Sequence, residues 1–446
     1  MFRALFTILP LALHLLALGA YGAQPVPGAK HPVAQLVEWE LTANAEISRT
    51  DLEQMAEVIL QRAESQALPP DLLRTLNLPD FRLAGEEQKK ALLSALPEEM
   101  LKKIALIPVP IEYFELLEAD LLSLPHHIQH ELPIPGQAEA RKMAHFTRDG
   151  KKYVRWFIHP MADAKRTKIA KIFETRLSKI LSRKQSSIKF HFTSSRSVIL
   201  FDGSYAEAVS AKLSLPKATG PFKDKAINLK SFEAWAKHNA YLADTLPKST
   251  TESLRFQQEP LGLGVGDEIS EDAQLFRNLD QLAKEKRYLL PAFSVLNEET
   301  GRAIAALNGS SDPLAFWEEH LLKPFARGQA ELRANTGAEH TSPHSQNLLV
   351  ELDQNMKPTG KIVMRDADFY IDAAVFKKLN RVVADDSGLT KGGTQMPTFS
   401  LRNGLHTLPS WMTETDHRNW VKKYFETFRE RFAAVMCAAL VEEFSG

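Results

Sequence analysis

The chain is 446 residues long, enough for two lobes with a cleft between them, and its apolar (44%) and charged (25%) shares exclude a disordered or fibrous protein. Lysine plus arginine and aspartate plus glutamate each number 55, so there is neither a global positive field for nucleic acid nor an acidic tail for a basic partner. A lone cysteine, Cys437, excludes an internal disulfide framework and cysteine-rich zinc or iron–sulfur sites.

Residues 1–22 have the layout of a signal peptide. Arg3 supplies a short positive region, Ala4 to Ala20 form a mainly apolar run, and Ala20-Tyr21-Gly22 places small residues where a signal peptidase inspects them. The expectation is export to the periplasm or beyond, with Ala23 as the new N-terminus and no membrane contact after cleavage. A retained anchor is the alternative, disfavoured because the run falls short of the ~20 apolar residues that span a bilayer and no basic cluster follows it.

Gln24–Pro32 is rich in proline and glycine and reads as a tether, and from residue 35 to 150 the pattern is mostly helical. Thr50-Asp51-Leu52-Glu53 reads as a cap and acidic first turn, and Glu86–Leu96 and Glu98–Leu106 repeat the theme. Prolines recur over 107–136, which predicts loops and short segments there. Tyr153–Ile158 has strand composition, Met161–Arg183 helical periodicity, and Ile188–Phe192, Val198–Phe201 and Val209–Leu215 read as strands, the last two parted by the turn Asp202-Gly203-Ser204. Residues 226–330 return to helix, with an amphipathic stretch over Pro313–Leu332. Leu348–Leu352 and Lys361–Met364 predict a hairpin, because Asp353–Gly360 is rich in turn formers, and Trp411–Phe444 is a long closing helix. The order predicts an α+β fold with small mixed or antiparallel sheets, divided into a helical region 23–150, an α+β region 151–260, and a largely helical region 261–446 that carries the hairpin.

Several motifs have bland readings. His126, His127 and His130 could face a metal from one side of a helix, but Pro125, Pro133 and Pro135 crowd them and no matching carboxylate or cysteine is evident, so a surface or packing role is expected. Gly262-Leu263-Gly264-Val265-Gly266 mimics a phosphate loop, yet no lysine-serine pair ends it, and it reads as a linker. No nucleophile elbow is present.

Four clusters, in order along the chain, are more informative. His159-Pro160 is followed by Lys165 and Arg166. Thr193-Ser194-Ser195-Arg196-Ser197 leads into a strand. Lys212 precedes Thr219 and Lys223. Pro343-His344-Ser345-Gln346-Asn347 opens the hairpin that ends in Arg365-Asp366-Ala367-Asp368. Together they are an inventory for a nucleoside triphosphate: cations offset phosphate charge, hydroxyls donate to phosphate oxygens, and aspartate with asparagine can hold magnesium.

This ordered set, over about residues 150–380, resembles the NRPS-independent siderophore synthetases of the aerobactin type, which carry a His-Pro element with a downstream Lys-x-Arg, a Thr-Ser-Ser-x-Arg-Thr segment, a Lys-Leu strand ending in threonine and arginine, and a Glu-x-His-x-Gln-Asn hairpin closing in Arg-Asp. The helix from Trp317 to Gly337 is also similar to the family's approach to the last motif. Three departures stand out: Ser342 replaces the glutamate two before the histidine, the serine–arginine segment lacks its spacer, and Lys223 stands for the arginine after the threonine, keeping charge without the bidentate fork.

The resemblance implies a palm-and-fingers ATP-binding module that adenylates a citrate-like carboxylate and couples it to an amine or hydroxyl, releasing AMP and pyrophosphate, in siderophore biosynthesis for iron acquisition. It implies ATP and Mg2+ as cofactors, small-molecule partners and room for a homodimer. It also implies roles: Lys212, Arg196 and His344 at the reacting groups; Ser194, Ser195, Thr219, Lys223, Gln346, Asn347, Arg365, His159 and Lys165 around the nucleotide; Asp366 and Asn347 on magnesium. The alternatives are an ATP-using kinase-like transferase and a non-catalytic binding protein on the same scaffold.

Overall fold

The computed structural model describes residues 30–162, 167, 170–172, 181–183, 186–194, 196–215, 226–246, 252–267, 271–279, 282, 284–340, 342–367, 369–372, 375, 391–392, 401 and 407–445. The leader expected over residues 1–22 lies outside the described residues. Among these residues no helix is long and apolar enough to cross a membrane.

The first helix, α1 (Pro32–Thr42), begins with proline at a position that needs no N–H, and His31 Nδ1 accepts the Val33 N–H at 3.2 Å. Val33, Leu36, Val37 and Leu41 recur at helical spacing and are buried. Helix α2 (Arg49–Arg62) is capped by Ser48, two residues before the expected Thr50, through a reciprocal box with Asp51. Short helices at Pro70–Thr75, Leu78–Leu83, Glu86–Ser94 and Glu98–Ala105 complete the helical region.

The proline-marked segment that follows is not mainly loop. It holds strands β1 (Val109–Pro110), β2 (Tyr113–Leu117) and β3 (His126–Glu131), because the prolines fall at or just beyond strand ends, where no ladder donor is needed. His126, His127 and His130 thus lie on a strand and not along a helix face. His130 sits edge-on to Trp235 with ring centroids 5.7 Å apart, a packing role as expected.

Strands β4 (His145–Arg148) and β5 (Lys151–Phe157) join β2 and β6 (Leu181–Arg183) in a four-stranded antiparallel sheet, order β4-β5-β2-β6. Residues 181–183, expected to end a helix, are extended; only 170–172 of the Met161–Arg183 stretch are described as helical. Strands β7 (Ile188–Phe192), β8 (Ser197–Asp202) and β9 (Ser204–Leu213) follow as predicted, with Gly203 at φ +72° supplying the left-handed turn residue of the hairpin.

Helix α3 (Leu229–Thr245) is real, but the next segment is not helix. It contains β10 (Leu254–Phe256), β11 (Leu261–Gly266), β12 (Glu271–Arg277) and β13 (Tyr288–Pro291). The Gly262–Gly266 run expected to be a linker is buried strand β11. A Cβ on Gly262 would stand 2.5 Å from Trp235 Cζ3, and one on Gly264 2.9 Å from Leu229 Cδ2, so α3 lies flat on a strand stripped of side chains. A seven-stranded antiparallel sheet results, in the order β1-β7-β8-β9-β12-β11-β3.

The amphipathic stretch from Pro313 runs through one wide π turn (Glu318–Leu322) into helix α4 (Lys323–Thr336). The wide turn falls just ahead of Pro324, whose ring would clash with a carbonyl of a regular α-turn. After β14 (Ala338–His340), the predicted hairpin forms from β15 (Leu348–Leu352) and β16 (Pro358–Met364), turning where Asp353 Oδ1 accepts the N–H groups of Asn355 and Lys357. This hairpin is flanked by β10, parallel to β16, and β13, antiparallel to β15. Strand β17 (Phe369–Asp372) pairs antiparallel with β14 on one side and parallel with β18 (Lys391–Gly392) on the other, and helix α5 (Glu414–Ser445) packs Tyr424 and Phe428 against α4.

The fold is α+β. Among the described residues, beside a small apolar cluster between α3 and β12, two large apolar cores organise it, one between the N-terminal helices, β2, β5 and the seven-stranded sheet, the other around the hairpin sheet, α4 and α5. Helix α1 joins them: Val33, Leu36, Val37 and Leu41 belong to the first and Trp39 to the second.

Candidate functional site

Neighbouring strands β9 and β12 pair Lys212 with Leu275 and Ser210 with Arg277. Antiparallel pairing thereby brings two cations, far apart in sequence, to one region of the sheet. Facing them is the end of β16, where the chain leaves the hairpin through Arg365 and Asp366. Asp366 adopts φ +62°, a left-handed conformation that aspartate tolerates better than most residues.

The Asp366 carboxylate is the hub. Its Oδ1 accepts Lys212 Nζ at 3.1 Å and the Arg277 guanidinium. Burial alone would push this carboxyl up, but Lys212, Arg277 and Arg365 outweigh it and hold it well below the usual carboxylate range. Arg277 is also bound by Glu259 Oε1 at 2.8 Å. Glu259 in turn accepts Asn239 Nδ2 at 3.2 Å and the Trp235 indole N–H, so α3 orients the carboxylate that orients Arg277. Burial lowers the Arg196 guanidinium while Asp366 and Glu259 favour its charge and Arg277 opposes it, which places Arg196 in the same electrostatic cluster.

A second branch runs through Arg365. Its Nε donates to the Gln346 carbonyl at 2.7 Å, and its Nη1 lies 2.6 Å from Glu40 Oε1. Glu40 is fully buried on α1 and its Oε2 also accepts the Ser194 N–H (3.4 Å) and hydroxyl. The Ser194 turn is braced by the Thr193 hydroxyl donating to the Ser197 carbonyl at 2.6 Å. Gln346 Nε2 donates to Glu46 Oε2 at 2.7 Å, and Asn347 Nδ2 to the Ser342 carbonyl at 3.1 Å. His340 accepts the Ser342 N–H on Nδ1, so its Nε2 is the donor to the Arg365 carbonyl at 3.1 Å. His344 is kept neutral mainly by burial, then by His340 and Arg365, against the opposing pull of Asp366 and Glu46.

The structure thus brings together Lys212, Arg196, Ser194, Gln346, Asn347, Arg365, Asp366 and His344. His159 is buried beside this group; its Nδ1 accepts the Met161 N–H at 3.2 Å, and burial, then Arg196 and Arg62, lower it to about 3, so it is a neutral neighbour. Lys165, Ser195, Thr219 and Lys223 lie outside the described residues.

Asp366 and Asn347, expected on magnesium, are not turned toward a common point in this structure. Magnesium needs several oxygen ligands in octahedral array, whereas Asp366 is engaged by two cations and the Asn347 side chain is turned to Ser342. Among the described residues no three histidine, cysteine, aspartate or glutamate side chains converge for a metal.

Four contributors escaped the sequence reading: Glu40, Glu46, Glu259 and Arg277. Glu40 left a signal, since it falls on the apolar face of α1 at i+7 from Val33, a place where a carboxylate needs a buried partner. Arg277 and Glu259 left none, because only the strand register brings them to the site.

No family model matches the chain, and no curated protein matches it. Among solved structures, aerobactin synthetase IucA from a hypervirulent pathotype of Klebsiella pneumoniae is 15% identical, with 64% of this chain aligned to 53% of that one at a TM-score of 0.45. The petrobactin biosynthesis protein AsbB from Bacillus anthracis is 13% identical over 76% of this chain and 61% of its own, at a TM-score of 0.47. Aerobactin synthetase IucC from Klebsiella pneumoniae is 14% identical over 79% and 64%, at 0.43. The chain spans about half to two thirds of the length of these synthetases. All three TM-scores lie below 0.5, so the chemistry of the site has to be argued from its own geometry.

Proposed function

We propose that this chain is an ATP-dependent synthetase of the siderophore kind, which adenylates a citrate-like carboxylate and passes the acyl group to an amine or hydroxyl. The observation that carries this reading is the convergence of Lys212, Arg196, Arg277 and Arg365 on Asp366, where the seven-stranded sheet meets the hairpin. The motif order His159, Ser194, Arg196, Lys212, His344, Asn347, Arg365, Asp366 supports it.

In the first step a substrate carboxylate oxygen attacks the α-phosphorus of ATP. A new P–O bond forms, the bond to the bridging oxygen breaks, and pyrophosphate leaves with that electron pair. In the second step an amine attacks the acyl carbon, the C–O bond to AMP breaks, and the amine gives up a proton. The first step brings two anions together and the second releases AMP, so the protein contributes position and positive charge, which this cation cluster supplies. Lys212, with its side chain 18% exposed and, among the described residues, paired with Asp366 alone, is the group best placed to swing to a phosphate.

We also infer that the protein is exported after cleavage before Ala23, on the strength of the 1–22 leader. Fractionation of cells expressing the full chain tests this: a shortened form outside the cytoplasm is expected, and full-length protein in the cytoplasm refutes it.

Product analysis tests the activity. The protein is incubated with magnesium, ATP, citrate and a panel of polyamines, and AMP is separated from ADP. Citrate-dependent AMP and pyrophosphate are expected. ADP would replace the synthetase with a kinase-like transferase, and no turnover and no nucleotide binding would leave a binding protein on this scaffold.

A further inference from the structure

The nucleotide reading above is the foundation for an inference about α1. Its apolar side chains Val33, Leu36, Val37 and Leu41 already dock the helix, and a buried ion pair adds little to such docking compared with well-packed apolar groups. Yet Glu40 is fully buried on that same face. Its two oxygens are divided: one lies 2.6 Å from Arg365 Nη1, the other receives the Ser194 N–H and hydroxyl. Arg365 is fixed at its other edge by the Gln346 carbonyl, and Gln346 is itself held by Glu46, just beyond α1. One short N-terminal segment therefore grips both the hairpin exit and the serine turn, from more than 150 residues away in sequence.

We propose that Glu40 is a positioning residue for the triphosphate site: it holds the Arg365 guanidinium and the Ser194 turn in the orientation that binds nucleotide, so the site is complete only when α1 is in place. The rationale is geometric. A guanidinium clamped at Nε and Nη1 has its remaining N–H groups directed, whereas one clamped at Nε alone can turn about its long stem.

The test is ATP affinity of the full-length protein by calorimetry, in a cycle of Glu40→Gln, Arg365→Gln and the double variant, with thermal melting alongside. Removing a negative charge beside a phosphate site would by electrostatics alone tighten ATP. A positioning role predicts the reverse: Glu40→Gln weakens ATP at least fivefold, and the double variant loses at least twofold less than the product of the two single losses, the remainder being carried through the Ser194 turn. Affinity in Glu40→Gln equal to or tighter than wild type overturns the proposal, as do losses that multiply in the double variant. Should Glu40→Gln fail to fold, Glu40→Asp keeps the charge and withdraws it by one methylene. At least threefold weaker ATP at an unchanged melting temperature is then expected, and unchanged affinity refutes the role. Wild-type protein that binds no ATP would instead bring down the nucleotide reading itself.

Discussion

Two buried charge clusters mirror each other in this molecule. Under the C-terminal helix α5, one cation, Arg333, is shared between Asp372 at 2.5 Å and Glu339 at 3.2 Å, while Arg431 reaches Glu331 at 2.8 Å. At the candidate site one carboxylate, Asp366, is shared between Lys212 and Arg277, with Arg365 and Arg196 in its field. The first cluster has an excess of carboxylates and regular backbone, since Arg333 sits in α4 and its partners on strands β14 and β17. The second gathers four cations, Lys212, Arg277, Arg365 and Arg196, against Asp366, Glu259 and Glu40, so its surplus is of the opposite sign, and its hub sits in a left-handed conformation. A cluster that only ties elements together has no use for surplus charge of the sign that attracts phosphate. A cluster built to receive an anion does.

The largest effect that would sharpen this contrast is on stability. Arg333→Met leaves Asp372 and Glu339 buried without their cation, and should cost about 3–5 kcal/mol in urea unfolding. ATP affinity of the folded fraction should stay within twofold of wild type. A loss below about 1 kcal/mol would mean that the α5 cluster is not the structural one. Lys212→Ala should behave in the opposite way. Asp366 keeps Arg277 and the removed ammonium is partly exposed, so stability should change by less than about 1 kcal/mol. ATP affinity should fall at least thirtyfold. Unchanged affinity in a folded Lys212→Ala protein would discard this site.

The elements that frame the site were readable to different degrees, for physical reasons. The hairpin of β15 and β16 was plain, because apolar runs flank a turn-rich segment, and α5 was plain from its length. Strand β11 was hidden, because alternate glycines that admit α3 also erase the side chains by which a buried strand is recognised. The strands at 109–131 were obscured by prolines that lie at their ends. Within the site, residues on local motifs (Ser194, Lys212, Arg365, Asp366) were legible, since each sits in a short polar segment at the end of a strand. Arg277 and Glu259 were not: their role arises from the β9–β12 register and from α3 packing, neither of which a local pattern contains.

The sign of each cluster also reinforces what burial does to its neighbours' titration. His159 is pushed down to about 3 by burial and by Arg196 and Arg62, whereas Tyr424 is pushed well above its usual value by burial and by Glu339. Both are held neutral chiefly by burial, which neighbouring charges of opposite sign reinforce. For His159 the folded value lies below the unfolded value near 6.5. Its contribution is therefore complete above that pH and is lost as pH falls from about 6.5 toward 3. Between pH 7 and 5 the wild type should lose about 2 kcal/mol more than His159→Gln, read by urea unfolding at each pH. Equal losses would show that His159 is not held neutral. Tyr424 works on the alkaline side, its contribution being lost only as pH rises above about 10.

The smallest effect separates buried charge from exposed charge within the α5 region. Lys423 and Glu318 are 2.5 Å apart, as close as Arg333 and Asp372, but the lysine side chain is 48% exposed. Water already solvates both groups, so forming the pair replaces one good environment with another and costs side-chain entropy. The contact of Tyr424 with Phe325 and the burial of Phe428 in the same apolar core hold α5 independently of this pair. Lys423→Ala should therefore change unfolding free energy by less than about 0.5 kcal/mol, with no salt dependence beyond that of wild type. A cost near that of Arg333→Met would mean that α5 is anchored from its surface. In that case burial would no longer distinguish the structural cluster, and the surplus of cations around Asp366 would be left as the one feature that sets the candidate site apart.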